Sequence, residues 1–298
     1  MTIISASCKT DIPAFFGDWF RARRMAGSCE VRNAWNGKTF RVSLRHEEYS
    51  GFVFWTRNAQ PFAAELARTA ETHPFMVQYT VTGHPRALER AVVAADTAID
   101  DIRATSGLCG PRAIVWRHDP MVITDAKPAG WHIKNFTRLA DGLAGHVDEV
   151  VTSFAQIYRK TRRNLNRAAD ATGNAWSDPG IAEKNDLLAA LTEIATARGL
   201  ALTLCTQPYI AASAARCIDA ESVDGMAAQL GHARVLARTK GSRPGCLCAE
   251  SRDIENHETC SHGCVYCYAV VNHDRARQVL KFHNPGPPML AGTEMISA

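Results

Sequence analysis

Three cysteines near the end of the chain have the spacing of a metal-binding loop. Cys260, Cys264 and Cys267 form the pattern C-x3-C-x2-C, and Tyr266 directly precedes the last of them. Three thiolates on one short loop can hold three irons of a [4Fe–4S] cluster and leave the fourth iron open to a ligand. The alternative is a zinc ion bound by the same cysteines with His262 or an outside ligand, although zinc sites favour paired C-x2-C spacings.

A second group of cysteines could complete another site. Cys246 and Cys248 are separated by one residue, and Cys205 and Cys217 precede them. Four thiolates suffice for an auxiliary [4Fe–4S] cluster or for a structural zinc ion, and the sequence leaves both open. Cys205 and Cys217 could instead be small buried apolar residues.

The composition sets the environment in which these cysteines act. The chain has 298 residues, of which 46% are hydrophobic and 21% charged, and this excludes a disordered protein. We expect no membrane span, because no run of 18 or more apolar residues occurs. The first residues lack the charged and apolar regions of a secretory signal, so we expect a cytoplasmic protein with reduced thiols that bind metal rather than form disulfides. A net charge of +4 is too small to indicate nucleic-acid binding by itself.

Short apolar runs rich in β-branched and aromatic residues alternate with helical patterns. Such runs are typical of strands buried on both faces of a parallel sheet. The seven predicted strands are 3–7, 29–33, 51–56, 75–80, 113–117, 149–154 and 201–205. The four predicted helices are 13–25, 86–104, 131–143 and 181–197.

This alternation predicts an α/β fold with a parallel sheet, and seven strands favour a complete or partial (β/α)8, or TIM, barrel. A doubly wound open sheet is the alternative, but no G-x-G-x-x-G follows the first strand. A basic linker over 237–244 divides the chain into a barrel-like domain, 1–236, and a cysteine-rich iron–sulfur segment, 237–298, packed on it.

Polar residues follow the predicted strands, where barrels place their sites. Arg117 ends the fifth run and Asp119 lies just after it, and Thr56 and Asn58 have the same positions at the third run. We expect these four to contact substrate or cofactor, and Asp11, after the first strand, to act as a polar anchor or proton acceptor. Loops after strands are polar in many proteins, so a purely structural role is the alternative for each.

Most of the chain resembles the DUF1848 family. The resemblance rests on several segments of the sequence. They are Ile3-Ile4-Ser5-Ala6-Ser7, Val53-Phe54-Trp55-Thr56-Arg57-Asn58, Val115-Trp116-Arg117-His118-Asp119-Pro120, Tyr158-Arg159-Lys160-Thr161-Arg162-Arg163, Cys217-Ile218-Asp219 and the run from Gly245 to Ala269. This resemblance supports the cysteines as ligands and implies no particular activity.

The loop from Cys260 to Cys267 also resembles that of radical S-adenosylmethionine (SAM) enzymes. In that superfamily the open iron binds the amino and carboxylate groups of SAM, and the residue matching Tyr266 lies near the adenine. The resemblance implies catalysis by reductive SAM cleavage, with electrons from a reductase or a flavodoxin-like donor. Radical SAM loops follow the first strand, whereas this one is near the end of the chain, and no Gly-Gly-Glu segment is present. A rearranged chain could still bring the loop to the same edge of the sheet.

The substrate is not evident from the sequence. The segment Arg159 to Arg167 carries five basic residues, and it predicts either a solvated helix face or a surface that contacts phosphates. The run from Cys264 to Tyr268 also resembles the loop of spore photoproduct lyases, which act on DNA. A different class of function is a non-catalytic protein in which zinc or a cluster is structural, with nucleic acid as a possible partner.

Overall fold

The computed structural model of the chain describes residues 2–33 and 36–291. The strands are β1 (Thr2–Ala6), β2 (Ser28–Arg32), β3 (Thr39–Ser43), β4 (Tyr49–Thr56), β5 (Phe75–Thr80), β6 (Ile114–Met121), β7 (Ile123–Thr124), β8 (Glu149–Phe154), β9 (Trp176–Ser177), β10 (Ala201–Leu204) and β11 (Ser251–Asp253). The α-helices are α1 (Ile12–Phe15), α2 (Gly17–Ala26), α3 (Ala63–Ala70), α4 (Ala95–Cys109), α5 (Ala129–Leu143), α6 (Arg159–Thr172), α7 (Ile181–Thr196), α8 (Ala220–Leu230) and α9 (His273–Lys281). Short 3-10 helices cover His46–Glu48, Gln60–Phe62 and Pro111–Ala113.

Seven strands form one parallel sheet in the order β10-β8-β6-β5-β4-β1-β11. From β1 to β10 the order follows the chain without reversal, whereas a doubly wound sheet reverses direction at a switch point. Among the described residues, β10 and β11 are the two edges of this hydrogen-bonded ladder. The prediction of an α/β fold with a parallel sheet is therefore confirmed.

Helices cover one face of the sheet because alternate strand residues there are large and apolar. The ring of Phe20 in α2 lies 5.4 Å from the rings of both Phe52 and Phe54. Phe136 in α5 stacks on Trp116 at 4.9 Å. Each such side chain contributes roughly 1.5–3 kcal/mol by leaving water, so this layer fixes the strands.

The opposite face is polar toward the carboxyl ends of the strands. Trp55 donates its indole N–H to Ser5 at 3.0 Å, and Arg117 donates to Gln78 at 3.1 Å. Gln78 and Arg117 are buried, so polar side chains point away from the helical layer at the edge where parallel-sheet sites are found.

Most predicted elements are confirmed, with three corrections. Six of the seven predicted strands belong to the parallel sheet. The run 29–33 forms β2, which pairs antiparallel with β3 outside that sheet, and its residues alternate between buried and partly exposed positions as in a half-buried ribbon. The predicted helix 13–25 is divided at Phe16 into α1 and α2. The helices expected at 131–143 and 181–197 are α5 and α7.

The third correction concerns the helix predicted over 86–104. The α-helix begins only at Ala95, and the preceding residues form turns and extended backbone. The N–H of Ala91 donates to the carbonyl of His262 at 2.9 Å, and the carbonyl of Leu88 accepts from Val265 at 2.9 Å. These backbone groups bind another loop, so they are not available for helical hydrogen bonds.

The C-terminal segment is part of the same sheet. β11 pairs in parallel with β1, with Asp253 opposite Ser5. The segment predicted as 237–298 is described to residue 291, and its last seven residues lie outside the described part. No helix within the described ranges is long and apolar enough to cross a membrane.

Candidate metal centre

The loop from Cys260 to Cys267, hereafter the cysteine loop, lies at the carboxyl edge of the parallel sheet. Two backbone hydrogen bonds and an antiparallel bridge between Glu89 and Cys264 fasten it to the segment that follows β5. A turn closed by the N–H of Cys267 and the carbonyl of Cys264 at 3.1 Å shapes its end. The fold therefore brings a loop from the end of the chain beside strands from its beginning.

The surroundings of the cysteine loop raise the pKa of all three of its thiols. Burial raises the pKa of Cys260, and the nearby Cys267 and Cys264 raise it further. Burial also raises the pKa of Cys264 to about 12, although the positive charge of Arg57 opposes this, and it raises the pKa of Cys267. All ten cysteines lie in the described ranges, and none of them forms a disulfide. A bound metal would have to displace the thiol protons, since the thiolate is the ligand.

Asp11 anchors the cysteine loop to the start of the chain. Its carboxylate accepts from His262 Nε2 at 2.7 Å and from the backbone N–H of Arg57 at 2.8 Å. It also caps α1 through the N–H of Ala14 at 2.9 Å. Nε2 of His262 donates its hydrogen bond to the carboxylate, and its buried Nδ1 has no hydrogen-bond partner among the described residues. A histidine whose other nitrogen donates to a carboxylate is the usual arrangement of a metal ligand.

A buried ion pair fixes the side chain of Tyr266. Arg57 donates to Glu89 at 2.8 Å and to the Tyr266 hydroxyl at 2.8 Å, and that hydroxyl also bonds Glu89. Thr82 donates to Glu89 at 2.6 Å. Burial alone would raise the pKa of Glu89, but the charges of Arg57 and His84 and these hydrogen bonds lower it to about 2. Glu89 is therefore ionised and holds the aromatic ring beside the cysteine loop.

The second cysteine group converges at the ends of β8 and β10. The sulfurs of Cys205 and Cys217 are 3.5 Å apart. Cys217 also interacts with Cys248, and Cys248 with Cys246. The backbone N–H of Ile218 donates to the sulfur of Cys248 at 3.4 Å. The four cysteines that the sequence grouped together are thus neighbours in the fold.

The four thiols of this group differ in acidity. The hydrogen bond with Cys217, and then burial, raise the pKa of Cys205. Cys217 as a hydrogen-bond partner lowers the pKa of Cys248. Burial opposes ionisation of Cys246, yet backbone and side-chain hydrogen bonds outweigh it and lower its pKa. Protons are thus shared unevenly among the sulfurs, and Cys246 and Cys248 are the easier two to ionise.

Arg117 and Asp119 lie beneath the second group. Arg117 donates to both carboxylate oxygens of Asp119, at 3.0 and 2.6 Å, and its guanidinium lies 5.1 Å from the centre of the Trp55 ring. Burial opposes its charge, but the negative charge of Asp119 outweighs this effect and raises the pKa of Arg117. This bidentate ion pair fixes the orientation of both side chains next to the second cysteine group.

The remaining sequence candidates have local roles. The Thr56 hydroxyl accepts from the N–H of Asn58 at 2.9 Å, so the two residues close the turn after β4. Sequence reasoning missed Arg57 and Glu89 as site residues. Arg57 lies inside the segment Val53–Asn58 that carries the family resemblance, whereas Glu89 lies in the stretch predicted to be helical, where no pattern marks it.

The described residues contain no group of three His, Cys, Asp or Glu side chains arranged to hold a single metal ion. The ligands of a cube bind different irons and stand farther apart than the ligands of one ion, so this arrangement does not conflict with a cluster at the cysteine loop. The donor types on the cysteine loop, three cysteines and one histidine, are of the kind that iron–sulfur and zinc sites use.

Comparisons with known proteins agree with the resemblance found in the sequence. No match was found among curated proteins or among solved structures. One family model matches residues 3–269, from β1 to just beyond the cysteine loop, and its description is "Domain of unknown function (DUF1848)". Because the match covers most of the chain, including both cysteine groups, the chain belongs to the DUF1848 family.

Proposed function

We propose that the chain is an iron–sulfur enzyme of the radical SAM type. Cys260, Cys264 and Cys267 would each hold one iron of a [4Fe–4S] cluster and leave the fourth to SAM. The observation that supports this most is the position of the C-x3-C-x2-C loop, buried at the carboxyl edge of a parallel sheet. When bound, the cluster would supply the electron that cleaves SAM to methionine and a 5′-deoxyadenosyl radical.

The protein's own residues would position and enclose that chemistry. Asp11 holds His262 and the turn at Arg57, so it serves as an anchor whose carboxylate is already engaged. The Arg57–Glu89 pair fixes Tyr266, whose backbone would lie against the adenine. Arg117 and Asp119 would face the substrate side of the edge. Burial of the loop would exclude water from the reaction.

The sheet would close into a barrel around this edge. The N–H of Ala215 donates to the carbonyl of Leu204 at 2.9 Å, and the N–H of Ala249 donates to that of Ile218 at 2.8 Å. Residues 213–218 thus link β10 to the stretch that leads into β11. We propose that this irregular segment takes the place of a missing strand.

The second cysteine group would bind either an auxiliary [4Fe–4S] cluster or a structural zinc ion, although no three of its donors are arranged around a single ion within the described residues. Two thiolates bound to one tetrahedral zinc ion at about 2.3 Å stand about 3.8 Å apart. The separation of 3.5 Å between Cys205 and Cys217 is close to this value. This spacing also supports the second candidate function, a non-catalytic protein whose metal is structural. In the enzyme the bound zinc or cluster would hold the linker against β10.

Anaerobic reconstitution separates the two functions. The enzyme should contain about four irons and four sulfides per chain, or about eight of each if the second group also holds a cube. After reduction it should release 5′-deoxyadenosine from SAM. Cys264→Ala should abolish both, because two thiolates cannot hold the cube. Cys109→Ala is the matched control, since Cys109 is buried away from other sulfurs. Stoichiometric zinc without iron, or full iron in Cys264→Ala, would refute the proposal.

A further inference from the structure

Helix α6 carries as much net charge as the whole chain. It contains one acidic residue, Asp170, and five basic residues, so its net charge is +4, which equals that of the full sequence. The remaining 29 basic and 29 acidic residues cancel. The five basic residues are Arg159, Lys160, Arg162, Arg163 and Arg167. The net positive charge of this protein therefore equals that of one helix, and the rest of the chain is neutral overall.

This distribution is unfavourable for the helix itself. Four of the five cations lie in its first two turns, where the helix dipole is already positive, and no acidic residue lies in the first turn. Arg163 has like charges four residues away on both sides, at Arg159 and Arg167, and such pairs destabilise helices. Among the described residues, no carboxylate forms an ion pair with any of the five. A bound polyanion would remove this repulsion.

The charged helix adjoins the cysteine loop. Its buried side chain Leu165 packs in one apolar cluster with Cys264, Val265 and Tyr266. The apolar side of α6 is thus covered by the protein, and its basic side faces solvent. A membrane-binding helix needs large apolar side chains free to enter the lipid, and α6 has none to offer.

Exposed aromatic rings lie at the same edge. Tyr158, which precedes α6, is 47% exposed, and Tyr268, which follows Cys267, is 46% exposed. The exposed Arg243 is within electrostatic reach of both hydroxyls. Aromatic rings beside a basic groove are the usual means by which proteins hold unpaired bases. A helix of this length spans about 20 Å, enough to follow several phosphates rather than one.

We propose that α6, with Tyr158 and Tyr268, binds single-stranded nucleic acid and presents a base to the cysteine loop. The reaction at that base rests on the proposed function, but the binding does not. Enzymes that modify a base in a duplex must first take it out of the stack. In a single strand the base is accessible without this step. The phosphates of the strand would bind the row of cations on α6, and its bases would stack on the rings of Tyr158 and Tyr268.

The test measures binding of a fluorescent 20-nucleotide DNA strand to the full chain, without SAM or reductant. Anisotropy titrations over about 50–200 mM salt should show affinity falling with salt, by about 0.7 log units per log unit of salt for each phosphate contact. Arg163→Gln with Arg167→Gln should reduce that slope by roughly 1.4. Tyr158→Ser should weaken binding about fivefold or more at an unchanged slope.

The control replaces exposed cations at the other edge of the sheet. Arg41 in β3 lies beside Thr2, at the start of β1, and Lys38 lies in the loop between β2 and β3. Arg41→Gln with Lys38→Gln should leave the slope unchanged. Equal loss in this control, absence of binding at low salt, or binding to phosphatidylserine vesicles but not to the strand would overturn the proposal. Binding without SAM cleavage would refute the proposed function alone, and cleavage without binding would refute this inference alone.

Discussion

The carboxylate of Glu89 offers the sharpest test of how the buried network supports the cysteine loop. Glu89 is 4% exposed, and it accepts hydrogen bonds from Arg57 and Thr82 at 2.8 and 2.6 Å. Its pKa is lowered from 4.5 to about 2 against the effect of burial. One pKa unit corresponds to about 1.4 kcal/mol, so ionised Glu89 contributes on the order of 3 kcal/mol to the free energy of unfolding at neutral pH.

We expect Glu89→Gln to lower the free energy of unfolding by about 3 kcal/mol at pH 7, because Arg57 is left as a buried cation without a partner. The folded pKa is below the unfolded value, so the stabilisation is complete above about pH 4.5 and is lost as the pH falls toward 2. The difference between the two proteins should therefore be constant from pH 7 to about 5. Urea unfolding followed by tryptophan fluorescence measures it.

Glu65→Gln provides the matched control. Glu65 is also buried and pairs with Arg24 at 3.1 Å and with Arg68 at 3.0 Å, but it lies in α3. Both variants should lose stability, and only Glu89→Gln should also lose iron on reconstitution, because Tyr266 is released. In a double-mutant cycle, Arg57→Gln should lower the free energy of unfolding much less in the Glu89→Gln variant than in the wild-type protein, because the ion pair is already lost there. Additive effects, or a loss below about 1 kcal/mol, would refute the reasoning.

Three further outcomes are expected. Gly51→Ala should lower the free energy of unfolding by about 1–3 kcal/mol, since a Cβ there would lie 2.7 Å from the carbonyl oxygen of Pro74; unchanged urea unfolding would contradict this. Burial lowers the pKa of His118 to about 4, so stability should decrease as the pH falls from 6.5 to 4, and His118→Gln should flatten that slope; an equal slope in both proteins counts against it. Cys248→Ser should remove metal from the second group and leave the iron of the cysteine loop in place; unchanged total metal would exclude a site there.

The parallel strands could be predicted because their signal is local. A run such as Val53–Phe54–Trp55 is apolar on both faces wherever it is placed in the chain, and β4 is buried along most of its length. The segment 86–94 could not be predicted in this way. Leu88 and Val92 have helical spacing because both contact the cysteine loop, which is about 170 residues away in sequence. Spacing alone cannot distinguish burial by a helix from burial by a distant loop.

The same limit applies to the site. The cysteines could be identified from their type and spacing, because cysteines repeated at short intervals are typical of metal-binding loops. Glu89 and Arg57 acquire their importance only from each other and from Tyr266, at separations of 32 and 209 residues. His262 and Asp11 are 251 residues apart. No local pattern in one sequence indicates such pairs.

The pairing of β11 with β1 explains how a C-terminal loop can replace one near the N-terminus. The two strands run in parallel, with Asp253 opposite Ser5, so the chain leaves β11 at the edge where β1 also ends. The loop that follows β11 must therefore lie beside the residues that follow β1, and the bond between His262 and Asp11 joins those two loops. In a sheet whose last strand adjoins its first, a loop after the last strand and a loop after the first strand reach the same position. The late place of the cysteines in the chain is thus compatible with a site at the mouth of the sheet.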